Sequence, residues 1–340
     1  MIKYPQNLNQ WDTIGITALS DSAKFEKIDY AIENLAHLGY KIKETNNVRY
    51  KSCKLVSSSP DIRIKEFISL WKDTNVKVII AARGGDFSME MLPLLYENID
   101  FFIENEPKWL QGYSDISLIS YFLTTKCNIA TINSSNINTY AMTPLPYSLL
   151  IPLYIESGKM DKEIVQESFQ KYQIEEIQNN PKAEFNFTEN VKYINLKSNY
   201  NCSFSGRMLG GTIDTISILL GTKYDNTLNF CKQYNEGIIW YFDNYGYNVA
   251  DLYRVLWQCR QAGWFDNARG FLFGRTYSKE KIKDFTYEDA LKKSLGDLNV
   301  PIIYDVDIGH IYPQLTIVNG SYAIFEYNSS GSKLTQKLDV

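Results

Sequence analysis

Val76-Lys77-Val78-Ile79-Ile80-Ala81-Ala82-Arg83-Gly84-Gly85 carries an apolar run straight into two glycines, and a helical pattern follows from about Ser88 to Leu95. An apolar run of this length, rich in Val and Ile and stopped by glycine, reads as a buried strand. Upstream, Asp12–Leu19 reads as another buried strand. Ser22–Leu38 reads as an amphipathic helix ending at Gly39, and Asp61–Trp71 as a second helix. Downstream, the short strand-like run Lys108–Gln111 gives way to a helical pattern over Ile116–Thr125, and Ile129–Ile132 is a further strand. Alternation of this kind specifies an α/β fold, a parallel sheet with helices on both faces. Ligands of such sheets gather beyond the carboxyl ends of the strands. Gly84-Gly85 and Gly112-Tyr113-Ser114-Asp115 both fall there, on consecutive units.

Past Pro144 the rhythm breaks, and polar and charged residues dominate from Ser157 to Lys192. The expected organisation is an N-terminal α/β domain over residues 1–150 and a connector over 151–198, with a helix around Lys162–Gln170. A C-terminal domain over 199–340 completes it. That last part opens on Gly206-Arg207-Met208-Leu209-Gly210-Gly211-Thr212 and a helix to Leu220. It continues with a strand at Gly237–Phe242, a helix at Asn248–Ala262, a strand at Gly270–Phe273 and the apolar run Val300–Tyr304.

With 340 residues the chain can bury two cores, and its 44% hydrophobic content is that of an ordinary globular protein. A net charge of −4 without a basic stripe argues against a nucleic-acid partner or an anionic membrane surface. Met1–Trp11 has no apolar core of a signal peptide, and no stretch of about 18 apolar residues could span a bilayer. The five cysteines, Cys53, Cys127, Cys202, Cys231 and Cys259, are scattered, with no C-x-x-C pair. Neither a zinc site nor a disulfide frame is expected, and a cytoplasmic protein with reduced thiols is the default.

Ser114 is the first candidate for chemistry. A serine on a tight strand-to-helix turn has its hydroxyl pushed outward, and the N–H groups of the following helix point at the same place. The same residue type is also a favoured helix N-cap, and Asp115 in a first turn suits the helix dipole without any catalysis. Histidine is scarce: His310 follows Gly309 shortly after an apolar run, while His37 lies within an amphipathic helix with no polar partner in view. Asp243 closes the apolar run Ile238–Phe242, so its carboxylate emerges at a strand end. Serine, carboxylate and histidine are the parts of a nucleophile–base–orienter relay. Each also has a structural reading, as cap, turn residue or core histidine. Gly84-Gly85 matches neither the P-loop nor the dinucleotide fingerprint, which leaves a nucleotide-binding domain poorly supported. A tight turn with exposed N–H groups, as an oxyanion hole requires, and a plain loop both remain open. Arg83 suits either a substrate carboxylate or a surface ion pair.

Taken together, these residues resemble the LD-carboxypeptidase family of serine peptidases, which includes the microcin C immunity peptidases. The pieces are Arg83-Gly84-Gly85, Leu92-Pro93, Ile99-Asp100, Pro107-Lys108 and Gly112-Tyr113-Ser114-Asp115-Ile116-Ser117. Gly210-Gly211-Thr212, Gly221-Thr222, the helix Leu252–Gly263 and Asp307-Ile308-Gly309-His310 complete the set. They fall in the family's order, and the length and long connector are closer to the microcin-immunity branch. The resemblance implies a flavodoxin-like parallel-sheet domain followed by a smaller C-terminal α/β domain, usually in a homodimer, with no cofactor and no metal. It makes Ser114 the nucleophile, His310 the general base and Asp243 the orienting acid. The oxyanion hole is then formed by the N–H of Asp115 and one from Gly84 or Gly85.

Two positions depart from the family pattern. Asp243 stands where a glutamate is usual, one methylene shorter. Thr131-Ile132-Asn133-Ser134-Ser135 replaces a His-Gly-Pro-like stretch, so Asn133 and Ser134, with Arg83, are candidates for contacts to substrate. The implied substrates are muropeptide LD-tetrapeptides or microcin C-like peptidyl-nucleotides. The alternative is a catalytically impaired member that binds cell-wall fragments as a sensor or immunity protein.

Overall fold

A computed structural model describes residues 1–50, 54–160, 162–175, 180–198, 200–328 and 331–338. The chain divides into two compact units. One comprises residues 1–162, 175–186 and 316–319, the other 163–174, 187–315 and 320–340. Both are α/β.

The first unit is built on strands β1 (Thr13–Thr17), β2 (Lys41–Glu44), β3 (Val76–Ala81), β4 (Trp109–Gly112) and β5 (Thr131–Asn133). They run parallel in the order β2-β1-β3-β4-β5, and Ile317–Asn319 adds an antiparallel edge beside β5. This is the flavodoxin-like order, whose chain reverses direction across the sheet between β1 and β3. Every residue of β1 is buried and β3 has one partly exposed position, as expected of strands covered on both faces. The helix Phe25–His37 turns Ile28, Ala31 and Leu35 inward at helical spacing. It begins three residues later than Ser22, whose hydroxyl instead donates to the carbonyls of Asn47 and Tyr50. Phe67, Trp71 and Phe102 form an aromatic cluster at 5.0–5.7 Å between ring centres, with Trp71 edge-on to both phenylalanines.

The region read as a connector is structured. Tyr147–Glu156 is a helix starting just after Pro146, so the prolines there mark a helix start. The helix expected around Lys162–Gln170 is instead the strand Glu163–Glu167, whose residues alternate exposed and buried. The period of two in Glu-Ile-Val-Gln-Glu, with two β-branched residues, outweighs the helix-like charge spacing.

In the second unit Cys202–Thr212, Ile238–Asp243, Ala268–Gly274 and Ile302–Val306 run parallel. Tyr322–Tyr327, Lys333–Lys337 and Glu163–Glu167 extend the sheet antiparallel on one side, and Ile194–Asn195 on the other. Trp240, Phe242, Trp264, Phe265, Phe271 and Phe273 form its aromatic core. Asn248 caps the helix Val249–Gln261 by accepting from the N–H groups of Ala250 and Asp251 at 2.9 and 3.0 Å. Cys127, Cys202, Cys231 and Cys259 are free thiols, and Cys53 lies outside the described residues. Among the described residues no helix is long and apolar enough to cross a membrane.

Glu156 is fully buried at the end of its helix, and neither carboxylate oxygen has a hydrogen-bond partner among the described residues. Burial pushes its pKa well above the usual carboxyl range. The unfolded chain therefore ionises first as pH rises, and the cost to folding grows with pH above about 4.3 until the buried group itself ionises. Glu156→Gln is expected to raise the melting temperature at pH 8 by several degrees and at pH 4.5 by much less. Thermal melts at the two pH values check this; equal shifts would contradict the burial argument.

Candidate active site

At the end of β4 the chain passes Tyr113 in extended conformation and enters Ser114 at φ +64°, a left-handed geometry that a non-glycine residue adopts at a cost of about 1–2 kcal/mol. Ser114–Ile116 is a 3-10 turn and Ser117–Cys127 the helix beyond it. The N-cap of the turn falls on Tyr113, so Ser114 is not there as a capping residue. Its backbone is held from both sides. The Tyr113 N–H donates to Asn136 Oδ1 at 3.3 Å, and the Ser117 N–H donates to the Ser114 and Asp115 carbonyls.

Gly84 lies directly against this serine. A Cβ on Gly84 would stand 2.8 Å from Ser114 Cβ and 2.9 Å from Ser114 Oγ, with the Asp115 amide nitrogen at 3.6 Å. Only glycine lets the backbone come so close to the hydroxyl. Gly85, at φ +155°, leaves no room for a Cβ beside Ser20 Oγ. The Gly84 carbonyl accepts from the Asp21 N–H at 3.1 Å, which fixes the plane of the peptide joining the two glycines.

The Asp115 side chain braces this arrangement. Its buried carboxylate accepts from Ser20 Oγ at 2.5 Å, from the Ser88 N–H at 2.8 Å and from Ser88 Oγ at 2.8 Å. Ser88 Oγ also lies 2.8 Å from the Asp115 carbonyl. One side chain thus ties together the loops that leave β1, β3 and β4. Burial raises its pKa, against the hydrogen bonds that lower it. Neither Ser20 nor Ser88 was expected from sequence; their one visible mark is position, just beyond the carboxyl ends of buried strands.

The candidate substrate contacts differ in exposure. Arg83, its side chain half-exposed, donates to Asp21 Oδ2 at 3.1 Å. Asn133 is buried at the end of β5, and Ser134 is buried with its hydroxyl 3.3 Å from that of Thr316. His37 is exposed in the last turn of its helix.

In the second unit, strand Ile238–Asp243 delivers its last side chain to His310. Asp243 Oδ2 and His310 Nδ1 are 2.6 Å apart, with the two side chains 3% and 16% exposed. Thr212, beside Asp243 in the neighbouring strand, donates from Oγ1 to the same oxygen at 3.3 Å. Gly309, at φ +91°, has no space for a Cβ because Asp243 Oδ1 occupies it. The missing side chain at Gly309 is therefore what lets the Asp243 carboxylate and the imidazole come together.

The loop that presents His310 is anchored below by Asp307. This buried carboxylate meets Arg275 Nη1 at 2.5 Å, Tyr193 Oη at 2.5 Å and the Phe169 N–H at 2.8 Å, while its carbonyl accepts from the Leu315 N–H at 2.7 Å. Two further groups face His310. Asp214 adds a negative charge, and the ring of Tyr245 lies against the imidazole. Burial by itself would lower the His310 pKa. The charge of Asp243, its hydrogen bond and the charge of Asp214 outweigh it, and the net shift is upward. Among the described residues no group of three or more His, Cys, Asp or Glu is placed to hold a metal ion.

Residues 14–134 match the LD-carboxypeptidase N-terminal domain and residues 205–324 the LD-carboxypeptidase C-terminal domain. The chain belongs to the LD-carboxypeptidase family. It is thus a serine carboxypeptidase-like hydrolase. It is 22% identical over 323 residues to a probable murein peptide carboxypeptidase of Bacillus subtilis (strain 168), covering 94% of this chain and 90% of that protein. It is also 22% identical over 341 residues to the microcin C7 self-immunity protein MccF of Escherichia coli, covering 96% and 94% of the two chains. The fold is shared with the crystal structure of an MccF-like protein from Bacillus anthracis str. Ames, at a TM-score of 0.84 and 21% identity over 98% of this chain and 99% of that one.

The electrostatic balance at His310 is open to measurement. With Asp243→Asn the burial remains while the main opposing charge is lost, so the His310 pKa is expected to fall below the ordinary value of about 6.5. Imidazole proton titration by NMR in a chain with two histidines checks this. A pKa that stays raised would remove Asp243 as the cause.

Proposed function

We propose that the protein hydrolyses an amide bond next to a C-terminal residue by a relay of Ser114, His310 and Asp243 through an acyl-enzyme. The observation that carries the reading is the 2.6 Å contact between a buried carboxylate and one of the chain's two histidines. With Nδ1–H committed to Asp243, the imidazole is held in the tautomer whose Nε2 is basic. In this reading His310 Nε2 takes the Ser114 proton as Oγ attacks the substrate carbonyl. The oxyanion is met by the Asp115 N–H and one from Gly84 or Gly85. Collapse breaks the amide bond, and His310 gives its proton to the leaving amine. Water, deprotonated by the same imidazole, then releases the acyl group from Ser114. The left-handed Ser114, the glycine packed on its hydroxyl and the braced Asp115 support these roles.

For substrates we infer two classes, muropeptide LD-tetrapeptides and microcin C-like peptidyl-nucleotides. The family supports both: MccF has been solved in complex with aspartyl sulfamoyl adenosine, and the B. subtilis relative is a probable murein peptide carboxypeptidase. A role in peptidoglycan recycling or microcin immunity, a cytoplasmic location and a homodimer belong to the same reading.

Purified protein is to be offered a muropeptide tetrapeptide ending in D-Ala, its L-Ala counterpart and aspartyl sulfamoyl adenosine, with products followed by mass spectrometry. Ser114→Ala is expected to lower kcat by about 10⁴-fold or more on whichever compound is cleaved. Full activity in that variant would end the proposal. Because the His310 pKa is raised, the acid limb of kcat/KM is expected to have its midpoint above about 6.5. A limb at lower pH would exclude His310 as the base.

A further inference from the structure

Beyond the relay, the turn that follows Asp243 is built to hold one aromatic ring in place. Tyr245 is 61% exposed, yet its ring lies 4.3 Å from that of His310, centre to centre, at an interplanar angle of 33°. A large exposed ring is an unusual residue to fix on a tight turn, and this turn is fixed from every side. The Asp214 carboxylate accepts from the N–H groups of Tyr245 and Gly246, at 3.4 and 2.9 Å. Thr276 Oγ1 donates to the Asn244 carbonyl at 2.6 Å, and Ser278 Oγ donates to the Tyr245 carbonyl at 3.0 Å. Asn244 closes the turn on Tyr247, with its Nδ2 donating to the Tyr247 carbonyl at 2.8 Å and its Oδ1 accepting from the Tyr247 N–H at 3.1 Å. The backbone at Tyr245 thus has its N–H, its carbonyl and both neighbouring peptides engaged.

We propose that Tyr245 is a positioning residue for His310, its ring forming the wall that keeps the imidazole in line with Asp243, and that Asp214 anchors the turn carrying that ring. The hydrogen bond at Nδ1 holds one edge of the imidazole, and rotation of the ring about its bond to Cβ would carry that edge away from the carboxylate. The Tyr245 ring, tilted against the imidazole, restricts that rotation. The contact is made by the aromatic ring, so phenylalanine serves as well as tyrosine. Asp214 acts twice: it sets the turn, and it adds negative charge that favours the charged form of the imidazole. The inference rests on the reading of His310 as general base, and its test has one arm that does not need turnover.

The experiment compares the full chain with Tyr245→Ala, Tyr245→Phe and Asp214→Ala. The first readout is the downfield Nδ1–H proton of His310, which the contact with Asp243 protects from exchange with water. The second is kcat and KM on the tetrapeptide or the aspartyl sulfamoyl adenosine. Tyr245→Ala is expected to broaden or abolish the Nδ1–H signal and to lower kcat by about 10-fold or more, with KM changed less than about 2-fold. Tyr245→Phe is expected to restore both, and Asp214→Ala to reproduce the loss in part. An unchanged Nδ1–H signal in Tyr245→Ala overturns the proposal. So does a rise in KM with kcat intact, which would make the ring a substrate contact instead. If His310→Ala still turns over substrate, the general-base reading fails, while the Nδ1–H comparison still decides whether Tyr245 positions the ring.

Discussion

The short contact between Asp243 Oδ2 and His310 Nδ1 is the constraint to which the second unit is fitted. A carboxylate at the end of a fully buried strand can be moved little, because shifting it would shift Ile238–Phe242 within the sheet. The histidine must therefore be brought to the acid. Its loop is fastened by Asp307, whose carboxylate is held between a guanidinium and a phenol, and Gly309 removes the one atom that would keep the loop away. Thr212, from the adjacent strand, completes the approach. Residues far apart in the chain serve one distance, and each is a small or charged group for a reason that the distance dictates.

The first unit solves a similar problem with a different device. Its strands converge with their carboxyl ends at one edge, which places the loops after β1, β3 and β4 together, but loops are the part of an α/β fold most free to move. The Asp115 carboxylate cross-links them through Ser20 and Ser88. Burying that charge is costly, and the raised pKa of the group records the cost. Three hydrogen bonds offset it, and they fix an amide N–H and a glycine backbone beside a serine already held at positive φ. Preorganised N–H groups of this kind stabilise a developing oxyanion without rearranging during the reaction.

How much of this was legible in the sequence follows from how local each feature is. Val76–Ala82 and Ile238–Phe242 announced themselves, because a strand covered on both faces is a continuous apolar run whatever its neighbours are. The strand-to-helix turn at Ser114 was equally local. Glu163–Glu167 was misread because its charges sit at helical spacing, and only pairing with Lys333–Lys337 makes it a strand. Tyr147–Glu156 was hidden by the opposite fault: buried nearly all round, it shows no polar face to give it a period. At the site, the candidates drawn from motifs were found at strand ends. Ser20, Ser88, Asp214 and Tyr245 were not foreseen, since they matter only through contacts across 27 to 95 positions of sequence or, for Tyr245, 65.

The second oxygen of Asp243 has a consequence for energetics. Asp243 places one oxygen on His310 and Thr212, and its other oxygen is buried against Gly309 without a hydrogen-bond partner among the described residues. A buried acceptor left unmatched costs about 1–3 kcal/mol. Stability alone would favour a neutral or smaller side chain here. What only the carboxylate supplies is full negative charge beside the imidazole in a site shielded from water, where a charge acts most strongly. That charge, together with that of Asp214, reverses the effect of burial on His310 and keeps the ring basic in surroundings that would otherwise make it a poor proton acceptor. The unmatched oxygen is thus a stability loss tolerated at the one position where charge, geometry and proton affinity have to coincide.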